Sequence, residues 1–191
     1  ANLRNYGGAL QFDRAFGMLP GPATGGIMFG IRFKNDSGSP ITSLTVTFTG
    51  EQWRDGGNQT PQTLVFAYRS DTNVNDLVTG VYTPVPALAF VSPNNGPVAS
   101  GLDGNAAGNR TTLSATFAVI VLPNEEIMLR WEDLDAVGED HGLAIDDLSI
   151  TPHGASTAAD ASISGRVTDS NGRGIARTRV SVIGGMMETP A

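Results

Sequence analysis

IMFGIRFK, residues 27–34, and ITSLTVTFTG, residues 41–50, decide how the rest of the chain is read. In the first, Ile27, Phe29, Ile31 and Phe33 alternate with Met28, Gly30, Arg32 and Lys34; in the second, Leu44, Val46 and Phe48 alternate with Thr45, Thr47 and Thr49. A period of two puts each apolar set on one face of a β-strand, because successive side chains point to opposite sides of a sheet. The intervening NDSGSP is made of turn formers, so the two stretches read together as a hairpin with one buried face.

Working outward, the same signal predicts strands at 11–19, 63–68, 87–91, 112–122, 127–131 and 143–150. The longest, TTLSATFAVIVL, carries Leu113, Ala115, Phe117, Val119 and Val121 on one face, with Ala118 and Ile120 on the other. A strand apolar on both faces is expected near the middle of a sheet. No run of ten or more residues has a helical apolar period with caps at both ends. With 24 Gly and 11 Pro in 191 residues, the fold class is all-β: two antiparallel sheets packed as a sandwich, in a jelly-roll-like order.

A net charge of -7, with one Lys and eleven scattered Arg, argues against nucleic acid, which needs a basic surface. The absence of Cys excludes disulfides, thiolate metal sites and a Cys nucleophile. No stretch approaches the ~20 apolar residues of a membrane-spanning helix. The chain opens on Ala1 with neither Met nor a signal peptide, as expected of a processed or excised product whose export signal, if any, is already gone; an extracellular or cell-surface location is the expectation.

The sandwich is expected over residues 1–151. PHGASTAADA, 152–161, is small and polar and reads as a linker. Residues 162–191 then hold two strands at 163–168 and 178–183, joined by DSNGRG. A lone strand pair is marginal in water, so Ile163, Val167, Val180 and Val182, if ordered, are expected to bury themselves on the sandwich or to add to a neighbouring copy; the third expectation is a longer parent cut here, leaving a disordered tail.

ISGRVTDSNGRGIARTRVSVIGG resembles the opening of a carboxypeptidase regulatory-like domain, an immunoglobulin-like fold of bacterial surface proteins. The pieces FTGEQWRDGGN, LDGNAAGNRTTLSA and IMLRWEDLDAVGEDHGLAIDDLSI look like a module that recurs in large secreted bacterial proteins. The last piece also resembles the closing strand of jelly-roll adhesion and carbohydrate-binding modules. These resemblances imply a β-sandwich with an accessory role, and they transfer no catalytic residue.

Four residue groups bear chemistry. Trp53, Arg54, Asp55, Asn58 and Trp131 are candidates for a sugar site, since a flat aromatic beside planar polar groups holds pyranose rings. Asp133, Asp135, Asp140 and Asp146 are candidate calcium ligands, because a loop at a strand end can converge hard oxygens, although their spacing is not that of an EF-hand. His141 beside Asp140 lacks a partnered nucleophile, and neither HExxH nor GxSxG occurs, so no enzyme is expected. Sequons at Asn35, Asn58 and Asn109 are expected on exposed loops or strand margins.

Two functions follow. The first is a structural or adhesive extracellular subunit that self-associates, in filament fashion, its carboxyl-terminal strands and the amino-terminal ANLRNYGGAL packing on neighbours or adjoining domains. The alternative is a module binding carbohydrate or another surface polymer, carried by a larger secreted enzyme or adhesin.

Overall fold

The computed structural model of the chain describes residues 3–8 and 13–154, which form eleven strands and one 3-10 turn. Ile163, Val167, Val180 and Val182, with most of the expected linker, lie outside the described residues.

One sheet contains β1 (Leu3–Tyr6), β2 (Ala15–Met18), β4 (Ile41–Asp55), β8 (Ser100–Gly101), β9 (Arg110–Val121) and β11 (Gly142–Gly154). Its order is β1-β2-β11-β4, with β8 and β9 both on the far edge of β4. The other holds β3 (Ile27–Lys34), β5 (Thr63–Asp71), β6 (Thr83–Pro84), β7 (Phe90–Val91) and β10 (Glu126–Asp133), in the order β3-β10-β5, with β6 and β7 beyond β5. The pairings are antiparallel. The chain is an all-β, two-sheet sandwich, as its alternation predicts. Among the described residues no helix is long and apolar enough to cross a membrane.

The inward faces meet in an aromatic core centred on Trp131. Its ring stacks on Phe29 at 5.4 Å between centroids and meets the edges of Phe66 at 5.1 Å and Phe48 at 5.7 Å. Val46, Phe48, Leu64, Phe66, Leu129 and Leu143 are all buried around it. On the outward face of the first sheet, hydroxyls pair across β4 and β9: Thr45 with Thr116 and Thr47 with Ser114, each at 2.7 Å.

Four expectations are corrected. The stretches 27–34 and 41–50 are not a hairpin: β3 and β4 lie in opposite sheets, and the turn between them is a crossover. Asn35 pins it. Its side-chain amide donates to the carbonyls of Ser39 and Val121, and its backbone N–H to the Glu125 carbonyl. Alternation says which face of a strand is buried, but not which sheet the strand joins.

Second, β9 pairs only with β4 among the described residues, so it is an edge and not a central strand. Its second apolar face is open, with Ile120 57 % exposed. Third, the sequons are not free acceptors. Asn35 is buried, and each side-chain amide holds a loop: Asn58 donates to the carbonyls of Val137 and Glu139, and Asn109 to that of Asp103.

Fourth, the expected strand at 87–91 is a 3-10 turn over Pro86–Leu88 followed by the two-residue β7. Residues 3–6 of the amino-terminal segment pair with β2 of their own chain.

Candidate functional site

Trp53 follows Thr47, Thr49 and Glu51 on the outward parity of β4, and so leaves the core. Its indole N–H donates to the Glu51 carboxylate at 2.9 Å, and its ring stacks on Tyr6 of β1 at 5.8 Å with planes 8° apart. Two glycines make this arrangement possible. A Cβ on Gly104 would fall 2.3 Å from indole atoms of Trp53, and one on Gly142 would fall 2.6 Å from the Tyr6 hydroxyl. Any side chain at either position would displace the stacked pair.

Tyr6, Trp53, Arg4, Asn5, Arg54 and Ser100 line one groove of about 570 Å³, within the size range of ligand sites. A second hollow, of about 410 Å³, shares Trp53, Gly7 and Gly101 with it, so the indole stands as a fin between the two. Burial pushes the Tyr6 phenol up to about 12 and raises the Glu51 carboxyl above its ordinary value. The phenol therefore stays protonated at neutral pH.

The structure divides the expected sugar-binding set. Trp53 and Arg54 line the groove. Asp55 is buried and accepts the backbone N–H groups of Gly57 and Gly96, while Asn58 clips the 134–141 loop; both shape loops. Trp131 is fully buried in the core and has no face for a ligand. Its parity with Ile127 and Leu129 carries that assignment. Tyr6 escaped the sequence reading because its partner lies 47 residues away and the strand that carries it has only four residues.

His141 is fully buried and held at both ring nitrogens. Nδ1 accepts the Gly56 backbone N–H at 2.9 Å, and Nε2 lies 3.0 Å from the Asn95 side-chain oxygen, which fixes the neutral tautomer with the proton on Nε2. Its backbone N–H donates to Gln62 Oε1. Burial depresses its pKa, despite Asp55 Oδ1 at 3.6 Å from Nδ1. With both nitrogens committed, this imidazole has no lone pair to offer as a base.

The four expected calcium ligands are not assembled as a set. Asp133 ends β10, fully buried, and neither carboxylate oxygen has a hydrogen-bond donor. Burial and the charge of Asp140 push it up to about 8. Asp140, also buried, accepts the Ala136 N–H at 3.0 Å and contacts the Asp135 carboxyl. Asp146 lies apart, on β11 opposite Thr49 and beside Asp13; its Oδ1 accepts the N–H of Asp147, which has φ 52° at a bulge in the strand. Among the described residues no three acidic or histidine side chains converge closely enough to hold an ion by themselves.

No protein-family model matches the chain, so the expected carboxypeptidase regulatory-like resemblance of its carboxyl-terminal segment finds no support. No curated protein matches it. Among solved structures, one described as "Family 16 Carbohydrate Binding Module-2" aligns over 76 % of this chain and 79 % of its own, at 14 % identity and a TM-score of 0.31.

Proposed function

We propose that the sandwich is a non-catalytic extracellular binding module that holds a glycan across the groove beside Tyr6 and Trp53. The observation that carries this reading is the stacked pair itself, set in a groove of ligand size with planar polar side chains around it. Aromatic carbon supplies apolar contact for a sugar ring, while Arg4, Asn5 and Arg54 bring donors for hydroxyl or carboxylate oxygens. Glu51 fixes the indole from below, so little ordering remains to be done on binding. The commitment of both His141 nitrogens to loop bonds supports a role without catalysis.

The test is a glycan array followed by affinity electrophoresis on the best ligand. Trp53→Ala is expected to weaken binding at least about tenfold, in line with the loss of one stacking contact. Gly101→Phe is the companion variant: a Cβ there meets open space, so the ring fills the groove without entering the sandwich. Binding unchanged by both variants, or no glycan retained by the wild type, contradicts the reading.

A second reading, self-association, rests on β9. Twelve residues long and paired on one side only among the described residues, it offers a backbone edge for strand addition, without internal Pro or Lys to block it. Sedimentation velocity over a wide concentration range tests this. A series of oligomers supports assembly, and a constant monomer contradicts it.

A further inference from the structure

We propose that Asp133 and Asp140 are side-chain ligands of a bound calcium ion, seated at the end of β10 beneath the loop of residues 134–139. The starting point is a defect in hydrogen bonding. Asp133 is 0 % exposed, and both of its oxygens lack a donor. A buried carboxylate without a partner is costly, and native proteins avoid it by pairing, by a bound ion or by ordered water.

The neighbouring cations are committed elsewhere. Arg54 reaches Glu139 at 3.3 Å and the backbone carbonyl of Asp140. Arg130 is bound to Glu132 at 3.1 Å and to the Leu77 carbonyl. His141 is turned toward Gly56 and Asn95.

The charge that bears on Asp133 is instead that of another buried carboxylate, Asp140, which itself touches Asp135 at the exposed rim of the loop. Like charges brought together out of water repel unless a proton or a cation stands between them. The loop is also held in place before any ion arrives. Asn58 donates to the carbonyls of Val137 and Glu139, and Gln62 donates to Glu139.

Hard oxygen donors without sulfur or imidazole select calcium over the transition metals. Two carboxylates do not fill six to eight positions, so backbone carbonyls and water complete the shell, as is common for this ion. A lone water is the competing occupant. It can partner these orphaned polar atoms, but unlike a cation it brings no charge to hold Asp133 ionised beside Asp140.

The experiment uses the full 191-residue chain, freed of metal with EGTA and titrated with calcium chloride alone. Calcium is expected to raise the wild-type Tm by about 5–10 °C at a hundredfold excess over Kd. Terbium in its place should emit on indole excitation, since Trp131 lies two residues from Asp133 on the same strand face. Asp133→Asn is expected to lose both responses. Asp146→Asn is expected to keep both. A wild-type Tm unmoved by calcium with no sensitised terbium emission overturns the proposal. So does an Asp133→Asn variant that keeps the calcium response, or an Asp146→Asn variant that loses it. The comparison of wild type with and without calcium needs no variant to fold.

Discussion

Two strands of this sandwich carry an acid and a tryptophan two residues apart on one face, and they resolve the pairing in opposite ways. On β4, Glu51 and Trp53 satisfy each other through a 2.9 Å bond on the outward face, and the ring remains available to the groove. On β10, Trp131 and Asp133 point inward, and both the indole N–H and the carboxylate are left without partners. The physical difference is twofold. Asp is one methylene shorter than Glu, and the Trp131 ring is fixed by Phe29, Phe48 and Phe66, so it cannot turn toward the acid. A self-satisfied pair that leaves its ring on a groove suits a ligand that comes and goes, whereas an unsatisfied pair in the interior suits a resident occupant.

The largest expected effect breaks the inner member. Trp131→Ala empties the centre of the core and should cost about 3–5 kcal/mol in urea-induced unfolding, the range for deleting a large buried aromatic. A loss below about 1 kcal/mol contradicts the core role assigned to it.

Next comes Asn35→Ala, which removes the two amide bonds of a buried side chain at the crossover between sheets. About 2 kcal/mol of destabilisation is expected by the same method, with the change in slope against urea small.

Trp53→Ala sharpens the contrast. It should cost only about 1 kcal/mol of stability, because the ring is half-buried and held by one bond and one stack, while removing most glycan affinity. Loss of stability as great as that of Trp131→Ala would mean that the two tryptophans are not different in kind.

The smallest effect is in Glu51→Gln, which keeps an acceptor for the Trp53 indole and removes a buried charge. Since the folded chain raises the Glu51 pKa, it binds that proton more tightly than the unfolded chain does. The resulting stability is complete below the unfolded pKa and is lost as pH rises through the folded one. Melting temperatures from about pH 4 to about pH 8 should therefore fall less steeply in the variant than in the wild type. An unchanged slope argues that Glu51 does not titrate in this way.

Much of this was legible before any coordinates. Alternation in 27–34 and 41–50 gave strands, inward faces and an all-β sandwich, because a half-buried strand has to repeat every two residues. It did not give sheet membership. β3 and β4 are separated by a short polar segment that reads as a hairpin turn, and only the long-range bonds of Asn35 reveal a crossover. Nor did it give edges: the apolar second face of β9 implied a central strand, yet Ala118 and Ile120 sit in the open.

At the candidate site strand parity sorts the two tryptophans, since Trp131 shares the parity of Ile127 and Leu129, whereas Trp53 shares that of Thr47 and Thr49. Tyr6, Gly104 and Gly142 could not have been found in this way. What they do depends on segments far apart in sequence meeting at one end of the first sheet, and no local pattern encodes such a meeting.

Acrylamide quenching of tryptophan emission, with and without a saturating glycan chosen from the array, tests the central claim most directly. Quenching of the free protein should resolve into an accessible fraction from Trp53 and a protected one from Trp131. Glycan should then shield the accessible fraction and leave the protected one unchanged. A quenching curve that saturating glycan does not alter, or one in which both tryptophans are equally accessible, would contradict it.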